Sequence, residues 1–179
     1  MNPRLIRSFV VVAVIGAIYL IANRGEYFGY TWQSYASPDG RFTVELPGKP
    51  IPEEQHRQRS DGTDSVYHHV KAIPAARTYF SVAYFDRSTS IDADTLIDNV
   101  KTKTAEGLQA MVLSQKPVTV EGRTARDIQF QTPKGVTVIE RVVVEDDRYY
   151  ALIVSTERDP GSEIQNTQRF FDSFKPSHS

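Results

Sequence analysis

The chain has 179 residues, 40% hydrophobic and 24% charged, with a formal net charge of -1 and no cysteine. That is one domain with room for a short extra segment, and an ordinary composition excludes gross disorder. Arg4, Arg7 and Arg24 are the charges of the first 24 residues; taking them from 21 basic residues leaves 18 against 22 acidic. That balance is the opposite of a nucleic-acid binder's, and without cysteine there is no disulfide, thiolate nucleophile or lipidated cysteine.

Residues 9–22 form an unbroken apolar run, preceded by Arg4 and Arg7 and closed by Asn23 and Arg24. As a helix, these fourteen residues cover about 21 Å, short of the roughly 30 Å hydrocarbon core, so a removable signal peptide competes with an anchor. Two features favour the anchor. Cleavage after Ala22 would put Leu20 where a small residue is needed, and Leu5 and Ile6 extend the span while Arg7 and Arg24 reach the interfaces. Residues 1–24 are therefore expected to be a signal anchor forming one transmembrane helix. The preceding charges keep the amino terminus inside, and the domain stands outside the cytoplasmic membrane.

Residues 25–37 follow, with Tyr27, Phe28, Tyr30, Trp32 and Tyr35 close together. They suit an aromatic belt at a membrane interface, and equally a first strand closing over the domain. The domain itself, residues 38–179, begins at the turn 37–40. Phe42, Val44 and Leu46 then alternate along a half-buried strand, which the prolines at 47, 50 and 52 should end. Residues 53–64 are polar and read as an exposed loop or ragged hairpin. Strands are expected at 65–73 and 78–86, the second apolar or small on both faces and hence interior. Ser90 or Asp92 caps a helix whose stripe is Leu96, Ile97, Val100, Thr104 and Leu108.

A strand at 112–120 leads into a meander of three, 123–130, 136–145 and 148–156, joined by the turn residues 132–135 and 146–147. The last strand is apolar at odd and even positions, so both faces of its sheet need cover. A final helix begins after residues 159–162, with Ile164, Thr167, Gln168, Phe171 and Phe174 along one side and Phe170 beside them. The fold class is α+β, a mainly antiparallel sheet sandwiched between helices and preceded by the anchor.

Several phrases of this order resemble the PsbP-like superfamily, which includes PsbP, a Ran-binding nuclear-import factor and DcrB-type envelope lipoproteins. They are residues 39–47, the helix at 95–108, residues 120–126 and residues 169–175, together spanning nearly all the chain beyond residue 37. The resemblance implies an antiparallel sheet between helices. It carries no catalytic residues, and the missing cysteine excludes the lipoprotein anchor.

For chemistry, His68 and His69 are the most tempting pair, but neighbours in a strand face opposite ways. His56, with Asp61 or Asp64, could approach one of them, which keeps a metal-dependent hydrolase as the alternative reading. Asp146 and Asp147 suit a turn better than a calcium site, because the loop offers few further oxygens. No nucleophile elbow or phosphate-binding loop is present. The sequence therefore points to a non-enzymatic, membrane-tethered binding or assembly module without a cofactor or metal. Its expected partner is another envelope protein, engaged through Tyr27, Phe28, Tyr30, Trp32, His56 and Asp61.

Overall fold

The computed structural model describes residues 30–58, 64–75, 77–86 and 91–177. The expected anchor, together with Tyr27, Phe28 and Asp61, lies outside them. Among the described residues no helix is long and apolar enough to cross a membrane.

In chain order the elements are β1 (Trp32–Ala36), β2 (Phe42–Pro47), β3 (Ile51–Gln58), β4 (Asp64–Ala75), β5 (Thr78–Asp86), α1 (Ala93–Leu108), β6 (Met111–Val120), β7 (Arg123–Gln131), β8 (Thr137–Val144), β9 (Arg148–Thr156), α2 (Ile164–Ser173) and β10 (Lys175–Pro176). A 3-10 turn, Pro160–Glu163, leads into α2. Seven strands make one antiparallel sheet in the order β3-β4-β5-β9-β8-β7-β6, and three make a small one, β1-β2-β10.

Alternation along the strands builds two cores. Phe80, Val82 and Tyr84 on β5, with Tyr150, Leu152 and Val154 on β9, point to one face; Val142 and Val144 on β8, with Ile128 and Phe130 on β7, point to the other. α1 covers the second face through the fully buried Ile97. Asp92 caps it by accepting from the Thr95 N–H at 2.9 Å, and Gln109 ends it in a left-handed conformation, φ 51°.

The first face is covered differently from expectation. It takes α2 together with the small sheet, whose β2 inserts Phe42, Val44 and Leu46. Phe42 meets the rings of Tyr84, Tyr150 and Phe174 at 5.3, 5.6 and 5.6 Å. A cluster of this kind adds edge-to-face attraction to the burial of large apolar area.

Of the loop and the ragged hairpin expected for residues 53–64, the hairpin is what forms, its edge strand β3 pairing with β4 and accommodating Pro52. Two details differ from the sequence reading. On α2, Ile164 is 63% exposed while Phe170 is fully buried against Phe80, with ring centroids 5.5 Å apart. On α1, Leu108 is exposed rather than packed.

Register sorts the turns into two ends. Thr78, Thr156, Thr137, Gln131 and Met111 lie level across β5, β9, β8, β7 and β6. At this proximal end the Gly48 N–H donates to the Thr31 carbonyl at 2.7 Å. Gly48 has φ 105°, and a Cβ there would stand 3.8 Å from the Cα of Pro74. Tyr30 is at this end too, its hydroxyl donating to Glu163 at 2.8 Å. The distal end holds the turns at 37–41, 121–122 and 145–147.

Candidate functional site

Where α2 crosses β2, an open groove of about 450 Å³ is lined by Ser34, Thr43, Glu45, Arg169, Asp172 and Lys175, among others. β1 supplies one wall because it pairs with β2 in register, Trp32 opposite Pro47 and Ser34 opposite Glu45. Arg169 Nε donates to Glu45 Oε2 at 2.8 Å, and its guanidinium sits 4.5 Å from the Trp32 ring centroid. Cation–π stacking at such an exposed site contributes about 0.5–1 kcal/mol and holds the planar group flat on the indole.

Four of the groove's polar residues, Glu45, Arg169, Asp172 and Ser173, are bonded to neighbours. Ser173 Oγ accepts from the Glu45 N–H at 2.9 Å and donates to the Phe170 carbonyl at 2.8 Å. Gln168 donates to both oxygens of Asp172. The Ser173 hydroxyl and the Glu45 and Asp172 carboxylates are thus each held by a neighbouring group.

A second charged cluster closes the distal end. Arg148, 7% exposed, donates to Asp39 and to Asp86, the latter at 2.8 Å, and its guanidinium lies 5.0 Å from the Tyr84 ring centroid. Arg41 donates to Asp147 at 2.8 Å, Arg123 to Glu145 at 2.6 Å and the Tyr150 hydroxyl to Glu145 at 2.9 Å. Burial pushes the Asp39 carboxyl up, but the Arg148 guanidinium, the Ser37 hydroxyl and the Arg41 N–H outweigh it and hold it at about 2. Burial, with Asp39 adding, pushes Tyr84 up to about 12. These bonds tie the β1–β2 turn to β5 and to the β8–β9 turn, so the cluster clamps the fold. Asp147 is an ion-pair partner here, which is more than the turn preference expected of it.

Of the expected site residues, Tyr30, Trp32 and His56 fall among the described ones. Tyr30 and Trp32 pack edge-on against Phe80, with centroids 6.1 and 6.2 Å away, so the aromatic segment closes over the domain. Burial, then Glu163, pushes the Tyr30 hydroxyl up to about 12. His56 lies opposite Val66 in edge strand β3 of the large sheet, whereas Trp32 lies in β1 of the small one.

His68 and His69 emerge on opposite faces, as strand alternation demands. His68 stacks on Tyr84 at 5.0 Å with Glu54 at 3.1 Å, whereas His69 meets Glu53 at 3.1 Å. Burial favours the neutral imidazole of His69, against the pull of Glu53. Among the described residues no group of three or more His, Cys, Asp or Glu could hold a metal ion.

Sequence reasoning missed Arg169 and Glu45, because nothing local links residues 124 positions apart. It also missed Glu140, buried on the α1 face at 2% exposure. A lone acid inside the apolar strand β8 was the available signal.

No family model and no curated protein sequence matches the chain. In structure it is similar to cyanobacterial PsbP (CyanoP) from Synechocystis, with a TM-score of 0.62 and 13% identity over 83% of this chain and 94% of that one. A protein of unknown function from Pseudomonas aeruginosa gives a TM-score of 0.49 with 10% identity, covering 83% and 99%. A Bacteroides thetaiotaomicron protein gives 0.49 with 12% identity, covering 82% and 49%. At such identities the likeness is one of fold, and the domain has the PsbP-like fold.

Proposed function

We propose that the chain is a non-enzymatic binding or assembly module, tethered by residues 1–24, with its domain outside the cytoplasmic membrane and an envelope protein docked along the Trp32–Arg169 groove. The observation that carries this reading is the stack itself. A tryptophan and an arginine, the residue types that dominate binding energy at interfaces, stand together on an open surface beside Glu45. The groove's hydroxyl and acids are spent on internal bonds, which supports recognition over catalysis.

For the hydrolase alternative, His68 and His69 diverge to separate carboxylates, while Asp61 lies outside the described residues. The test is a photo-crosslinking residue at exposed Ser34 of the full chain in native membranes. A discrete crosslinked partner, lost in W32A, is expected; absence of any specific adduct sinks the groove reading. A reporter fused after Ser179 should be active outside the cytoplasm and silent within it, and the reverse result overturns the topology.

A further inference from the structure

Eight large hydrophobic side chains are exposed among the described residues, and all but Ile91 lie toward the proximal end. Ile51 and Ile73 flank the β2–β3 and β4–β5 turns, Ile164 opens α2, and Leu108 ends α1. Met111, Val112 and Leu113, at 67, 41 and 47% exposure, begin β6.

β6 is an outer strand of the large sheet. Its second half carries Lys116 and Pro117, residues that protect an open edge, but its first half carries apolar groups. A register shift between Val112 and Ser114 leaves Leu113 as a bulge. So many exposed apolar groups at one end mark a surface that meets something.

Charge is arranged to match. The proximal turn tips between β2 and β3, β4 and β5, and β7 and β8 carry the exposed Lys49, Arg77 and Lys134, one each, Arg77 also lying 3.8 Å from the carboxylate of Glu157. The distal tips carry Asp39, Glu121, Asp146 and Asp147. The chain leading from the apolar run 9–22 also joins the domain at the proximal end, since Thr31 bonds Gly48 beside Pro74. Seven residues separate Ala22 from Tyr30, a reach of at most about 28 Å, comparable with the roughly 30 Å length of β5.

From this we infer that the proximal end is a lipid-contacting surface: Met111, Val112 and Leu113, with Leu108 beside them, rest in the interface of an anionic phospholipid bilayer while Lys49, Arg77 and Lys134 meet its headgroups. The inference rests on the tether reading, which brings this end to the membrane. The groove and the acidic distal end are then turned to solvent and to partners.

The absence of native cysteine allows a clean test with the full chain reconstituted in phosphatidylethanolamine–phosphatidylglycerol vesicles. An environment-sensitive fluorophore is placed on M111C, L113C or, as the distal control, D146C. The expected result is a blue shift and quenching by nitroxide-labelled lipid at 111 and 113, with the label at 146 quenched only by aqueous iodide. Chain that floats with vesicles while the labels at 111 and 113 stay open to iodide overturns the contact and leaves the tether standing. Shielding from both quenchers means a protein occupant, such as a second copy, and overturns it equally. Chain that does not float removes tether and contact together.

Discussion

Glu140 of β8 faces Thr104 of α1 across the interface between helix and sheet, and its buried Oε2 has no hydrogen-bond partner. Burial pushes this carboxyl up to about 7 from 4.5, with Thr104 opposing. In the unfolded chain it ionises near 4.5, so the folded state binds the extra proton between these values and loses stability as pH rises through that window. The loss levels off above neutral pH at about 3 kcal/mol. E140Q should therefore be more stable than the parent at pH 8 and nearly equal to it at pH 4.5. Urea unfolding across this range checks it; parallel curves for the two proteins would refute the buried-carboxyl account.

Arg148 gives the opposite pH limb. Asp39 is held at about 2 in the fold against 3.8 unfolded, so its contribution is complete above the unfolded value and disappears as pH falls through the folded one. R148A leaves Asp39 and the exposed Asp86 without their cation and should cost about 1–3 kcal/mol at pH 7. The same variant should show a weaker dependence of stability on pH between 4 and 2. Chemical denaturation at fixed pH steps measures both effects.

How far these features were legible follows from the distance over which each is decided. β5 and β9 begin and end on the expected residues because their apolar run on both faces is written locally. The meander's order is also local, since short turns admit little but antiparallel neighbours. The cover of the first face was not readable, because β2 comes to lie on the large sheet only through Phe42 meeting Tyr84, Tyr150 and Phe174. For the same reason Trp32 was legible as an aromatic that matters, while its partner Arg169 was not. The Glu53 region left loop and hairpin open because an edge strand can be polar on most of its positions.

Thr167 and Phe171 of α2, and Phe174 just after it, are buried as expected while Ile164 and Gln168 are not, and two substitutions measure the difference. F170A removes a ring with 0% exposure that meets Phe80 edge-on, and should destabilise by about 3–5 kcal/mol. I164A removes a side chain left 63% in water and should change stability by no more than about 0.5 kcal/mol. Equal effects in thermal or chemical unfolding would contradict the orientation of the helix.

R169K separates binding from stability at the groove. Lysine keeps the positive charge but lacks the planar fork that lies on the Trp32 indole and bonds Glu45. Because Arg169 is half exposed and lysine keeps the charge, the change should alter folding stability by no more than about 1 kcal/mol. Crosslinking from residue 34 should nonetheless fall, since the stacked guanidinium is a preorganised part of the recognition surface. W32A should lose the adduct as well, but with a measurable destabilisation, because its ring also packs on Phe80. A crosslink that survives R169K unchanged would mean that charge alone, and not the stack, is what a partner reads.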